Sequence, residues 1–113
     1  MTLRKMQKYI KDIGVQRGWD RDSALEKFLL LTEEVGELAK EIRKASGLYT
    51  ERGKKIKIEL SLEMADVLNY LLDIANHYGI DLEKAFWEKE RINKKRKWVK
   101  TKPKNVKRRS TKK

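Results

Sequence analysis

The sequence predicts an all-α protein: an antiparallel four-helix bundle that oligomerises and carries a disordered basic C-terminal tail. Three observations point there. Apolar residues recur at threes and fours through four segments, and no stretch alternates with the two-residue period of a strand. The only proline, Pro103, lies in the tail, so none breaks a helix before it. Four helices with short connections favour antiparallel neighbours. The 113 residues form one domain that buries only about 60 to 65% of its unfolded surface, so a second subunit is expected to help complete the core.

Taken in order, Leu3, Met6, Ile10, Ile13 and Val15 give helical spacing to a first helix, which the Gly14 to Asp22 region ends. Ser23 followed by Glu26 is a capping-box pattern and opens a long second helix through Ala45, stopped by Gly47. Its expected core stripe is Phe28, Leu31, Val35, Leu38, Ala39 and Ile42. A polar connection, GLYTERGKK, leads to a third helix from about Ile56 to Tyr78, ended by Gly79. Its apolar face is Leu60, Met64, Val67, Leu68, Leu71, Ile74 and Ala75. Asp81 suits an N-cap for a fourth helix running to about Trp98. The domain is therefore expected over residues 1–98, with a flexible segment over 99–113.

Charge separates these two parts. The formal net charge is +12, and from Lys94 to Lys113 there are 12 Lys or Arg and no acids. The other 17 basic residues balance all 17 acidic ones within residues 1–93. A segment of that composition buries too little apolar surface to offset its ordering entropy. It either solubilises the protein or makes nonspecific contact with nucleic acid or another anionic surface.

Composition also excludes several chemistries. There is no cysteine, so disulfides, thiolate catalysis and thiolate metal sites are out, and the lone His77, expected on the surface near a helix end, offers no imidazole cluster. Any metal must be held mostly by oxygen. The N-terminal MTLRKMQKYIKD lacks the apolar core of a signal peptide, and no run approaches about 20 apolar residues. A soluble cytoplasmic protein with no membrane contact is expected.

At about 100° per residue, Glu34, Glu37 and Glu41 form a strip beside the core stripe of the second helix, shared with Leu30. On the third helix Glu59, Glu63, Asp66, Tyr70, Asp73 and His77 fall on one strip, with Glu63 and Asp66 one turn apart. Two acidic pairs, Glu34 with Glu37 and Glu63 with Asp66, can then face each other across one groove. Carboxylates about 4 Å apart repel by about 1 kcal/mol even in water, and a divalent cation offsets that. Oxygen-only ligands suit Mg²⁺, with Mn²⁺ as a substitute. The plainer alternative is a set of ordinary surface acids. A carboxylate-bridged di-iron bundle needs Glu-x-x-His, which neither pair provides.

Glu33-Glu34-x-x-Glu37, 25 intervening residues, then Glu63-x-x-Asp66 resembles the signature of the all-α nucleoside triphosphate pyrophosphohydrolases, the MazG-like and dCTP-pyrophosphatase group. The flanks LTEEVGELAKEI, EMADVLNYLLDIA and EKERINKKRKW are similar to the second, third and fourth helices of that family, so the resemblance spans roughly Gln7 to Trp98. It implies hydrolysis of a nucleoside triphosphate to the monophosphate and pyrophosphate, in a role such as nucleotide-pool house-cleaning. It assigns Glu34, Glu37, Glu63 and Asp66 to Mg²⁺ and Glu33, with Glu34, to orienting water. Trp19, Tyr70, Lys89 and Asn93 are assigned to the nucleotide. Lys89, or the loop lysines Lys54 and Lys55, can meet the distal phosphates. A homodimer or homotetramer is expected. The competing functional classes are a nucleic-acid-associated helical binding protein acting through its basic tail and a purely structural helical oligomer.

Overall fold

The computed structural model describes residues 1–49, 52–53 and 58–101. These form four helices: α1 (Leu3–Arg17), α2 (Ala24–Ala45), α3 (Leu60–His77) and α4 (Leu82–Lys95), with a short 3-10 turn, Trp19–Arg21, between α1 and α2. No strand occurs among the described residues. Local chemistry sets the ends. The Thr2 hydroxyl accepts from Lys5 N, Ser23 and Glu26 form the expected reciprocal capping box, and the Asp81 carboxylate accepts from Lys84 N. Gly18, at φ 78°, takes the left-handed conformation that closes α1, where an L side chain would be strained.

The helix boundaries differ from expectation at two ends. Among the described residues α3 begins at Leu60, and Ile56 lies outside them. α4 stops at Lys95, three residues before Trp98, whose indole N–H instead donates to the Asn93 carbonyl at 2.9 Å. That carbonyl also accepts from Arg96 N at 3.1 Å, so the indole takes its second lone pair at the end of the helix.

α2 and α3 form the central hairpin, and three polar contacts give its register. Lys27 meets Asp73, Glu34 meets Asp66, and Glu41 meets the backbone of Glu59. Each step of seven residues up α2 is matched by seven back down α3, which makes the helices antiparallel with these contacts on one face. The rungs are about 10.5 Å apart at 1.5 Å per residue. α1 packs on α3, and α4 packs against α1. Gln7 secures that corner. Its amide donates to the Ile80 carbonyl and accepts from Leu82 N, while its own carbonyl accepts from Asn76 Nδ2. Arg4 adds ion pairs to Asp81 and Glu83.

The single chain has a small apolar interior, with Ile10, Leu72 and Ala75 buried. Here the expected core stripe of α2 needs correction. Leu31 and Leu38 are half-buried as expected, but Phe28, Val35, Ala39 and Ile42 are exposed, as are Met64 and Leu71 on α3 and Val15 on α1. α2 is apolar around much of its circumference, and one neighbouring hairpin arm covers only part of it.

Candidate active site

The middle rung of the hairpin is where the acidic pairs meet. Glu34 comes from the centre of α2, and Glu63 and Asp66 from successive turns of α3. One carboxylate oxygen from each of the three lies within 4.8 Å of the others. Glu63 Oε1 is buried without a hydrogen-bond partner. Such an atom forfeits its solvation with nothing in return. Burial, then the Asp66 charge, pushes the Glu34 carboxyl above the usual carboxylate range, and a hydrogen bond to Asp66 adds to it. Glu63 is pushed up in the same way, by burial first and then by Asp66 and Glu37. An orphaned buried oxygen among converging hard carboxylates fits a divalent cation.

Glu37 stands outside this close group, near enough for its charge to act on Glu63. Glu33 is exposed on the outer side of Glu34 and acts on both Glu34 and Tyr70 through its charge. The Tyr70 hydroxyl is pushed up by burial, then by Glu34 and Asp66, so it stays protonated and able to donate.

Beside the acids is a recess of about 230 Å³ lined by Ile13, Arg17, Trp19, Asp66, Asn69 and Tyr70, among others. It brings Trp19 and Tyr70 together with a cluster acid. Trp19 reaches the recess because α1 ends at Gly18 and the chain turns back; the Arg17 guanidinium sits 5.0 Å from the centre of its ring. Lys89 and Asn93 are placed elsewhere. They line an apolar recess of about 450 Å³ with Leu3, Leu68, Leu71 and Phe86, because α4 packs over α1 and not over the acidic rung. Lys54 and Lys55 lie outside the described residues.

Helical periodicity alone does not mark the roles of two polar groups that build the site. Glu41 is no free member of the acidic strip. Its carboxylate accepts from Glu59 N at 2.8 Å and pairs with Lys44 at 3.0 Å, which holds its pKa down and ties the start of α3 to α2. Lys27 is among the most deeply buried side chains, donating to Asp73 Oδ2 at 2.9 Å and to the Trp19 carbonyl at 2.8 Å. The signal for Lys27 was the seven-residue spacing from Glu34, opposite Asp73 once the hairpin register is known.

Residues 23–100 match the model of the MazG nucleotide pyrophosphohydrolase domain. The chain is 32% identical over 99 residues to the Bacillus subtilis protein YvdC, covering 79% of this chain and 92% of that protein. Among solved structures it is similar to Bacillus subtilis YPJD, a candidate pyrophosphatase, with a TM-score of 0.73, 29% identity and coverage of 86% of this chain and 97% of the other. It is also similar to iMazG from Vibrio DAT 722, with a TM-score of 0.60, 31% identity and coverage of 83% and 95%. The acidic rung lies inside the matched span, and members of the family generally depend on a divalent metal. The chain belongs to the MazG nucleotide pyrophosphohydrolase family.

Proposed function

We propose that the protein is a Mg²⁺-dependent pyrophosphohydrolase that converts a nucleoside triphosphate to the monophosphate and pyrophosphate. The observation that carries this is the convergence of Glu34, Glu63 and Asp66, with a buried Glu63 oxygen that has no partner. In this reading those three hold the ion with Glu37 completing the set, and the domain spans residues 1–98. Mg²⁺ supplies neutralisation of the triphosphate charge and Lewis-acid polarisation of phosphoryl oxygen. The chain's own groups do the rest. Glu33, with Glu34, orients water for in-line attack on the α-phosphorus. Tyr70 donates to the nucleotide, and Trp19 offers a ring face to the base. Lys89 and Asn93 face a different recess of the same chain, so in this reading they contact nucleotide from a second subunit.

That subunit has a surface to meet. Leu25, Phe28, Thr32, Val35, Ala39 and Ile42 repeat at alternating threes and fours along α2, and all are exposed. This is the spacing of a helix-packing seam, which supports a homodimer or homotetramer built through α2. A second reading rests on charge: the neutral body and the 12 basic residues after Asn93 support contact between that segment and nucleic acid. The deciding experiment is a panel of canonical and modified NTPs and dNTPs with Mg²⁺, with chromatography of the products. Monophosphate and pyrophosphate are expected. A diphosphate as the primary product overturns the assignment.

A further inference from the structure

We infer that Lys27 is a positioning residue for the nucleotide recess: its buried ammonium, shared between Asp73 and the Trp19 carbonyl, latches the 3-10 turn in place as one wall. The ammonium joins three elements. Its stem rises from the first turn of α2, its charge meets α3 at Asp73, and its second hydrogen bond ends on the turn. The Trp19 carbonyl also accepts from Asp22 N at 3.1 Å, so Lys27 takes up its remaining lone pair. A three-residue turn has little cohesion of its own, and its other internal bond, from Arg21 N to the Gly18 carbonyl, is long at 3.3 Å.

A lysine reaching only Asp73 would suffice to tie α2 to α3. The second bond, to the backbone of the residue whose ring lines the recess, distinguishes a latch from a simple clamp. Asp73 lines that same recess, as do Asn69 and Tyr70 one turn and less than one turn before it. Lys27 therefore sets the turn and the Asp73 part of the recess, about two turns of α3 from Asp66, which also lines it, and nearly three turns from Glu63. The predicted effect falls on substrate affinity more than on turnover. Identification of the ligand as a nucleotide rests on the preceding proposal; the geometry of the latch does not.

The test compares the parent, Asp73→Asn and Lys27→Met/Asp73→Asn. Asp73→Asn keeps an amide oxygen that can accept from Lys27 but leaves the buried ammonium without its counter-charge, so it isolates the loss of the Asp73 charge from the loss of the Lys27–Trp19 bond. The double variant removes the donor without leaving a buried carboxylate unpaired, which protects folding. Amide exchange over residues 19–22 is measured on all three, with acrylamide quenching of Trp19 in a Trp87→Phe/Trp98→Phe background and kcat and KM for the best triphosphate. Expected in the double variant are exchange at Arg21 and Asp22 at least 10-fold faster, a more quenchable Trp19, KM at least 10-fold higher and kcat within about 3-fold. Asp73→Asn is the reference for the altered recess wall and the lost counter-charge: measured against it, the double variant should still show the faster exchange and the higher KM. Unchanged exchange and KM in the double variant would reduce Lys27 to a helix clamp and overturn the latch. An equal rise in KM for Asp73→Asn, with exchange unchanged, would make Asp73 a direct contact and overturn it too. If the parent hydrolyses no triphosphate, the functional proposal fails and the exchange measurements still decide the latch.

Discussion

Substituting Asp66→Asn removes one charge from the acidic rung and almost nothing from its shape. In the metal-free protein an Asp66 oxygen lies within 4.8 Å of one from Glu34, a separation at which two full charges repel by roughly 1 kcal/mol even with water-like screening. Part of that is already relieved, because burial and the Asp66 charge raise the Glu34 pKa and favour a proton on it. At pH 8, in EDTA, the substitution should therefore leave stability unchanged or raise it by up to about 1 kcal/mol, some 4 °C in melting temperature for a domain of this size. Metal reverses the order. At 100 times its Kd, Mg²⁺ stabilises the parent by about 2.7 kcal/mol through mass action, and the variant, short of a ligand, should gain less than a third of that. Turnover should fall at least about 100-fold. Differential scanning fluorimetry with and without Mg²⁺, paired with pyrophosphate release, reads all three quantities. Near-normal turnover together with the parent's Mg²⁺-induced rise would show that α3 supplies no ligands, and the metal-site argument would fall.

Three further outcomes are expected. Glu34 and Glu63 are raised above the ordinary carboxylate range, so their contribution to metal-free stability is full below that range and lost as pH rises through their folded values. Glu63→Gln should flatten that decline with rising pH in a melting-temperature series, whereas added Mg²⁺ should bind with proton release, seen by calorimetry in two buffers of different ionisation enthalpy. Val35→Glu, in the exposed α2 seam, should lower the mass found by light scattering toward the 13.4 kDa of one chain; a parent already at that mass would refute the seam. Truncation before Lys100 should leave hydrolysis within a few fold and remove most salt-sensitive binding to DNA or RNA, and a collapse of hydrolysis in a folded truncation would place the basic segment in the active site.

Much of this architecture is legible in the sequence because its signals are local. Ser23 with Glu26, Asp81, and the glycines at 47 and 79 act within a turn or two, and the helices begin and end close to them. The pairing of Glu34 with Glu63 and Asp66 was also legible, since a period of 3.6 residues puts Glu63 and Asp66 on one face of α3 and antiparallel packing against α2 brings that face to Glu34. What periodicity could not supply was the choice among several apolar faces. α2 presents Leu31 and Leu38 to its own chain and Phe28, Val35 and Ile42 outward, a decision made by neighbours far away in sequence. The fates of Lys27 and Glu41 depend likewise on pairing across the hairpin, and a lysine in a charged sequence gives no local sign of burial. Lys89 and Asn93 follow the docking of α4 on α1 through Gln7 and Arg4, a tertiary choice invisible from within α4.

The three rungs between α2 and α3 differ in kind, and their order along the hairpin has mechanical meaning. The outer two, Lys27 with Asp73 and Glu41 with the backbone of Glu59, are attractive; the middle one is repulsive. Two like charges on parallel rods would ordinarily ease apart by a small slide or a twist. Here a slide in either direction draws both outer rungs out of reach together, so the hairpin behaves as a beam clamped at both ends with a compressed spring at its midpoint. Its energy has two exits, a proton or a cation, and neither requires the helices to move. The clamps also decide which residues meet between them: with Lys27 held to Asp73 and Glu41 to the backbone of Glu59, Asp66 has no neighbour on α2 to face but Glu34.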